Sequence, residues 1–362
     1  MGLRLIFPPG LIFAPTFSGN ILKITCTPYQ LNLQYPFRLA TGTRSHTDIV
    51  IVAITSGGHT GYGEASLPPY LSENTESVLR FISTVDRKYL KVIANLDEQL
   101  AFIDSVLPGN NAAKASLDLA LHDLRGKTLG QNISEMYRIP QGKPIYSTYT
   151  IGISDEAALR QKLKAAEDFT LIKLKLGSPD DRALVETFLQ YSDKPFCVDV
   201  NQGWTDRGYA LEMVRFLEEK NCLFIEQPFS AKNKENNAWL RARTKLDIIA
   251  DEAVQRFTDL TEVAETYSGV NIKLMKSTGI HEALRMIKKS RELNLKIVVG
   301  CMAETSCAVT AAAHLASLAD WADLDAPLLT TNDPFLGLEF NQGEVKIPQF
   351  SGIGIKLSSH FT

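Results

Sequence analysis

LIKLKLG (171–177), FCVDVN (196–201), LFIEQP (223–228) and DIIADE (247–252) are short apolar runs that close on Lys175, Asp199, Glu226 and Asp251. Stretches of helical spacing separate them, which is the pattern of repeated βα units and a parallel sheet. Working outward, the same texture recurs in PIYSTYTIG (144–152), VNIKLMKS (270–277), KIVVGCM (296–302) and WADLDAP (321–327). The residues that close the eight runs are Thr150, Lys175, Asp199, Glu226, Asp251, Lys276, Cys301 and Asp323, at spacings of 25, 24, 27, 25, 25, 25 and 22. A strand, a turn, a helix and a return take about that many residues, and eight such units close a barrel. The expected fold class is therefore α/β, a (β/α)7-8 TIM-type barrel spanning residues 141–330.

The flanks have a different texture. ILKITCTPYQLNL (21–33) and DIVIVAIT (48–55) read as strands, joined by a loop over the polar, small-residue segment LATGTRSHT (39–47). From Ser72 to Lys127 the spacing is helical and ends in the amphipathic run NNAAKASLDLALHDLRGKTLG (110–130), with Gly130 placed to stop it. Residues 21–140 thus read as an α+β capping domain. The tail FLGLEFNQGEVKIPQFSGIGIKL (335–357) is strand-like, turns at Asn341 to Gly343 and leaves the barrel period. Residues 331–362 are expected to return to the capping domain. Residues 1–20 begin like a signal peptide, but Pro8 and Pro9 interrupt the apolar stretch, so a loose extension is expected.

Composition narrows the function classes. Thirty-eight Lys and Arg against 41 Asp and Glu give a net charge of −3, with 44% hydrophobic residues, as in an ordinary globular chain. No long uninterrupted apolar run suits a membrane, and a near-neutral balance offers no broad basic surface to nucleic acid. Five cysteines, an odd number without a CxxC pair, suggest reduced thiols and a cytoplasmic setting.

In such barrels the C-terminal ends of the strands share one mouth, where chemistry is done. Asp199, Glu226 and Asp251 end three consecutive strands, and converging hard oxygen ligands suit Mg2+, with Mn2+ as a substitute. Asn201 and Glu252 lie close enough to support those ligands from behind. Lys175 and Lys276 bracket the trio and approach its centre from opposite sides. Lys173 shares a face with Lys175, and a neighbouring ammonium favours the neutral, base-competent form of Lys175. A divalent metal between two opposed bases points to removal and return of a proton α to a carboxylate. In WADLDAP, alternation sets Asp323 and Asp325 on one face, ready to receive an ammonium group.

The motifs KLKLG, DVNQGW, EQP, ADE and IKLMKSTGI, with the helix AKASLDLALHDLRGKTLG, resemble the enolase superfamily, muconate-lactonising subgroup, over essentially the whole chain after residue 20. The resemblance implies Lys175 and Lys276 as acid/base catalysts, Asp199, Glu226 and Asp251 as Mg2+ ligands, and Lys173 as a carboxylate contact. It also implies an enediolate intermediate. A Lys or His base working with Mg2+ is a known pattern of that superfamily. No His replaces the second lysine, and His281 and His314 read as structural. His122 stands where a Trp is frequent, and FSGIGI replaces a PGLG-like turn while keeping its glycines.

Within the subgroup, Asp323-x-Asp325 resembles the dipeptide epimerases of the L-Ala-D/L-Glu type, where it holds the free amine of a dipeptide. The implied partner is a small dipeptide, and a homo-oligomer is the default assembly for such barrels. Thr150, Cys301 and Ala303 are candidate substrate contacts. Glutamate-specific relatives carry a cation where Gly42 stands here, with Arg44 nearby. Met302 and Ala303 favour a hydrophobic second residue over Glu. The alternative is a succinylbenzoate synthase or muconate cycloisomerase with the same metal and lysines, and a third reading is a non-catalytic binding protein on the same barrel.

Overall fold

The computed structural model describes residues 22–39, 42–69, 71–90 and 95–359, so the extension expected over 1–20 lies outside the described residues. Three antiparallel strands open the chain: β1 (Lys23–Leu39), β2 (Gly42–Ser56) and β3 (His59–Leu67). The loop expected over 39–47 is a correction. Residues 42–47 belong to β2, with Leu39 paired to Gly42 and Leu31 to Thr47. Small and hydroxyl side chains read as loop in isolation, but a partner strand satisfies their backbone and overrides that preference.

Helices α1 (Thr75–Thr84), α2 (Leu96–Val106), α3 (Asn111–Leu129) and α4 (Ile133–Met136) complete this unit. Gly61 and Gly63 let α3 press onto β3, since a Cβ at Gly61 would stand 2.1 Å from the Ala120 carbonyl oxygen. Gly130 ends α3 at φ 69°, as the sequence suggests. The expected amphipathic character of α3 needs correction. It is buried nearly all round, and its buried acids are paired at contacts with other elements. Asp118 accepts the Ile280 N–H at 2.7 Å, and Asp123 accepts the N–H groups of Tyr62 and Ile353, each at 2.9 Å.

The barrel strands are β4 (Tyr149–Ile151), β5 (Ile172–Lys175), β6 (Phe196–Asp199), β7 (Cys222–Glu226), β8 (Asp247–Ala250), β9 (Gly269–Lys273), β10 (Lys296–Gly300) and β11 (Trp321–Asp323). They form one parallel sheet in sequence order. Buried on both faces, they are the apolar runs seen in the sequence. Helices α5 (Glu156–Ala165), α6 (Asp181–Tyr191), α7 (Arg207–Glu218), α8 (Lys234–Arg241), α9 (Leu260–Thr266), α10 (Ile280–Glu292) and α11 (Ser306–Ala316) alternate with them. The ring closes between β11 and β4 through one bridge, Ser147 with Ala322, and the 3.0 Å bond from Thr148 N–H to the Ala322 carbonyl. Of the tail, Gly352 accepts the Ile133 N–H at 3.1 Å and donates its own N–H to the Gln131 carbonyl at 2.9 Å. Among the described residues no helix is long and apolar enough to cross a membrane.

Candidate active site

Register builds the site. In the parallel ladder Lys175 pairs with Asp199, and Asp199 with Glu226, so the strands deliver their terminal charges side by side. Oxygens of Asp199, Glu226 and Asp251 lie within 4.8 Å of one another, and all three residues are buried. Lysines surround them. Lys173 Nζ donates to Glu226 Oε2 at 2.9 Å and to Asp323 Oδ2 at 2.7 Å, and Asp199 Oδ2 lies 3.2 Å away. Lys175 Nζ donates to Asp199 Oδ2 at 2.6 Å, and Lys273 Nζ to Asp251 Oδ2 at 2.8 Å. Lys276 Nζ donates to Asp251 Oδ1 at 2.5 Å, to the Asp251 carbonyl at 2.6 Å and to the Asn271 carbonyl at 3.0 Å.

These charges tune one another. Burial pushes the Asp199 carboxyl up, but the Lys175 and Lys173 ammoniums outweigh it and hold the group at about 2. Burial and then the Asp199 charge push Glu226 up to about 8. Asp251 is held well below the usual carboxylate range, the Lys273 and Lys276 charges overcoming its burial. Lys173 is burdened by burial, yet Asp323, Glu226 and Asp199 raise it well above an ordinary lysine. Burial lowers Lys276.

The donor set fits a divalent cation. Three buried carboxylates crowd one point, and the Asp199 charge adds to burial in pushing Glu226 up. The Asn201 Oδ1 and Glu252 Oε2 atoms nearby are buried without a hydrogen-bond partner.

Above this floor lies a cavity. Its lining includes Lys175, Lys273, Asp251, Asn201, Thr150, Cys301, Ala303, Asp323 and Asp325. Asp199, Glu226 and Lys173 lie beneath it, with Lys173 only 1% exposed. Lys173 therefore meets carboxylates of the protein. Lys276 is the main correction. The even spacing set it at a strand end, but β9 ends at Lys273 and Lys276 falls in the following turn, outside the lining. Alternation within β9 carried the missed signal, since Asn271 and Lys273 point inward, and Asn271 Nδ2 donates to Glu226 Oε1 at 2.9 Å.

Further residues escaped the sequence reading. Gln227 adopts φ 38°, accepts the N–H groups of Asp251 and Ala253 at 3.0 and 3.1 Å, and donates to the Phe229 carbonyl and the Tyr267 hydroxyl at 3.0 and 2.8 Å. All its amide capacity is used, and this aims the strand end that carries Asp251. Of the predicted supports, Asn201 reaches the lining, whereas Glu252 lies beside Asp251 and borders the neighbouring groove of Gln255 and Arg256. Burial and the Asp251 charge push Glu252 up to about 7.

At the far side, Asp323 Oδ1 accepts the Thr148 hydroxyl and Asp325 Oδ2 the Thr150 N–H, each at 2.5 Å. Burial and the neighbouring Asp323 push Asp325 up to about 7. The outer wall comprises Leu33, Tyr35, Pro36, Arg44, Met302 and Leu329.

Acidic strand ends between lysines, at the mouth of a barrel roofed by an α+β unit, define the class of barrel enzyme to which the chain is compared. A family model described as Enolase C-terminal domain-like matches residues 155–360, and one described as Mandelate racemase / muconate lactonizing enzyme, N-terminal domain, matches residues 21–137. The chain belongs to this family of the enolase superfamily, in the branch of the dipeptide epimerases, and is an isomerase. It is 41% identical to the L-Ala-D/L-Glu epimerase of Bacteroides thetaiotaomicron over 93% of this chain and 88% of that one. The substrate-liganded L-Ala-D/L-Glu epimerase from Bacillus subtilis matches with a TM-score of 0.87 at 27% identity, covering 92% of this chain and 98% of that one. The dipeptide epimerase from Cytophaga hutchinsonii, complexed with Mg and D-Ala-L-Val, matches with a TM-score of 0.86 at 25% identity, over 95% and 97% of the two chains.

Proposed function

We propose that the chain is a Mg2+-dependent dipeptide epimerase that exchanges the α-proton of the C-terminal residue through an enediolate, with Lys175 and Lys273 as opposed bases. The carrying observation is that these two lysines come from strands on either side of the carboxylate trio and both line the cavity, each against a different carboxylate. Sequence spacing pointed to Lys276, but three oxygens hold its ammonium outside the cavity, which favours Lys273.

The dipeptide amine would lie between Asp323 and Asp325, with its carboxylate toward the trio. A neutral lysine on one side takes the α-proton, and the ammonium on the other returns one to the opposite face. Asp199, Glu226 and Asp251 would hold Mg2+, which supplies charge stabilisation to the substrate carboxylate as the proton leaves. Met302, Ala303, Leu33 and Leu329 favour a hydrophobic second residue after alanine. A second reading, an acidic second residue, is favoured by Arg44 on the same wall.

Proton NMR with Mg2+ in deuterium oxide, using Ala-Ala, Ala-Val, Ala-Leu and Ala-Glu, tests both. Exchange at the second residue alone, with the diastereomer appearing, is expected. Exchange with none of them would overturn the proposal in favour of the lyase alternative. Turnover of Ala-Glu far above Ala-Ala, lost in Arg44→Ala, would replace the hydrophobic preference with the acidic one. Lys175→Ala should abolish exchange from one epimer and Lys273→Ala from the other; selective loss in Lys276→Ala instead would return the second base to that residue.

A further inference from the structure

Strand β3 of the capping domain has two faces. Gly61 and Gly63 meet α3, while Glu64 and Ser66, both 0% exposed, meet the barrel. Ser66 Oγ donates to the Ala303 carbonyl at 2.7 Å, and its N–H to Met275 Sδ at 3.3 Å. Glu64 Oε1 accepts the Thr305 N–H at 3.0 Å, and its other oxygen accepts the Thr305 hydroxyl. The Thr305 hydroxyl also accepts the Cys307 N–H at 3.1 Å, which starts α11. Inside the same segment Glu304 Oε1 accepts the Met302 N–H at 2.9 Å. The backbone that carries Met302 and Ala303 is thus pinned at residues 302, 303 and 305, twice by the capping domain. Met275, between Lys273 at the end of β9 and Lys276 in the turn after it, is tied to the same serine.

We infer that Glu64 and Ser66 are positioning residues that set side-chain specificity from outside the cavity, by fixing the wall of Met302 and Ala303. They touch none of the lining groups of the proton chemistry, and directional hydrogen bonds fix a loop's position more tightly than apolar packing. Two buried carboxyls, Glu64 and Glu304, stand together here, and the Lys273 charge reaches Glu304. Burial and the charge of Glu304 push Glu64 well above its usual range, and burial pushes Glu304 up to about 7. Such a cluster is expensive to bury, which sets it apart from ordinary interface packing.

The inference rests on reading the cavity as a dipeptide site. Its test compares kcat and KM for Ala-Ala, Ala-Leu and Ala-Glu in the wild type, Ser66→Ala and Glu64→Gln. Ser134→Ala serves as a control, because it removes a buried 2.8 Å bond to His314 remote from this loop. In Ser66→Ala the kcat/KM ratio of Ala-Leu to Ala-Ala should shift at least about five-fold, mainly through KM, with kcat on the preferred dipeptide kept within about two-fold. Ser134→Ala should lower Tm without moving the ratio. An unchanged ratio in folded Ser66→Ala overturns the inference, and if Glu64→Gln does not fold, Ser66→Ala alone decides. A wild type that exchanges no dipeptide proton refutes the functional reading itself, and the specificity role falls with it.

Discussion

Only Leu274 and Met275 separate Lys273 from Lys276, and the two lysines have opposite placements. One ends β9 and faces the cavity; the other has its ammonium consumed by Asp251 and a main-chain carbonyl. The acidic trio, Lys175 and the Asp323-x-Asp325 pair were legible because each is a charge at the end of an apolar run, where burial needs a reason. Lys276 misled because the period of the βα repeat locates a strand end only to within a turn, whereas the two-residue alternation inside the strand decides direction. Gln227 was invisible to either rule, since its work lies in four hydrogen bonds to residues up to 40 positions away. Replacing it tests that work. Gln227→Leu leaves the Asp251 and Ala253 N–H groups unsatisfied, so Mg2+ affinity measured by titration calorimetry should fall about ten-fold or more while far-UV circular dichroism stays unchanged. Affinity within two-fold of wild type would show that the strand end holds itself.

Among the elements, all eight barrel strands were legible from short apolar runs, because parallel strands are buried on both faces and leave a continuous hydrophobic signature. Residues 42–47 and the faces of α3 were misread because tertiary partners, neighbouring β1 for the strand and distant segments for the helix, supply the pairing that local composition lacks. Helix α11 shows how one buried side chain is stitched between such partners. Its His314 receives the Ser134 hydroxyl on Nδ1 at 2.8 Å and donates from Nε2 to the Ile353 carbonyl at 3.0 Å. Burial outweighs the help of that carbonyl and lowers His314 to about 4. An unfolded histidine titrates near 6.5, so between about 6.5 and 4 the unfolded chain binds more protons, and acidification favours unfolding. This contribution is complete above about pH 6.5 and is lost as pH falls toward 4, amounting to about 3 kcal/mol at most. His314→Gln keeps a donor and an acceptor without the titration. Urea unfolding across that window should therefore show a shallower pH slope for the variant than for the wild type, and parallel slopes would rule the histidine out.

For the molecule as a whole, the two units meet through buried polar groups of α3, β3 and the tail. Composition indicated a globular chain but was silent on this junction, because Asp118, Asp123 and Glu64 look like surface acids until the chain is folded. Three buried carboxylates crowd the barrel floor, so cation binding should be felt globally. Mg2+ at about one hundred times its dissociation constant should stabilise the fold by about 2.7 kcal/mol, seen as a higher Tm that EDTA reverses. Asp251→Asn should abolish that response. A Tm indifferent to Mg2+ would mean that the trio does not hold it.

The join between the first and last strands of the barrel carries a consequence for how such an enzyme changes. One bridge and one main-chain bond close the ring, and the remaining fastening comes from side chains: Thr148 on Asp323, the Thr150 N–H on Asp325, and the Leu324 N–H on Ser147 Oγ at 2.8 Å. The carboxylates that line the cavity, and that we propose receive the substrate amine, are therefore also the clasp of the cylinder. A lineage that altered them to accept a molecule without an amine would loosen its own architecture in the same step, so new recognition at this position must arrive together with a new fastening.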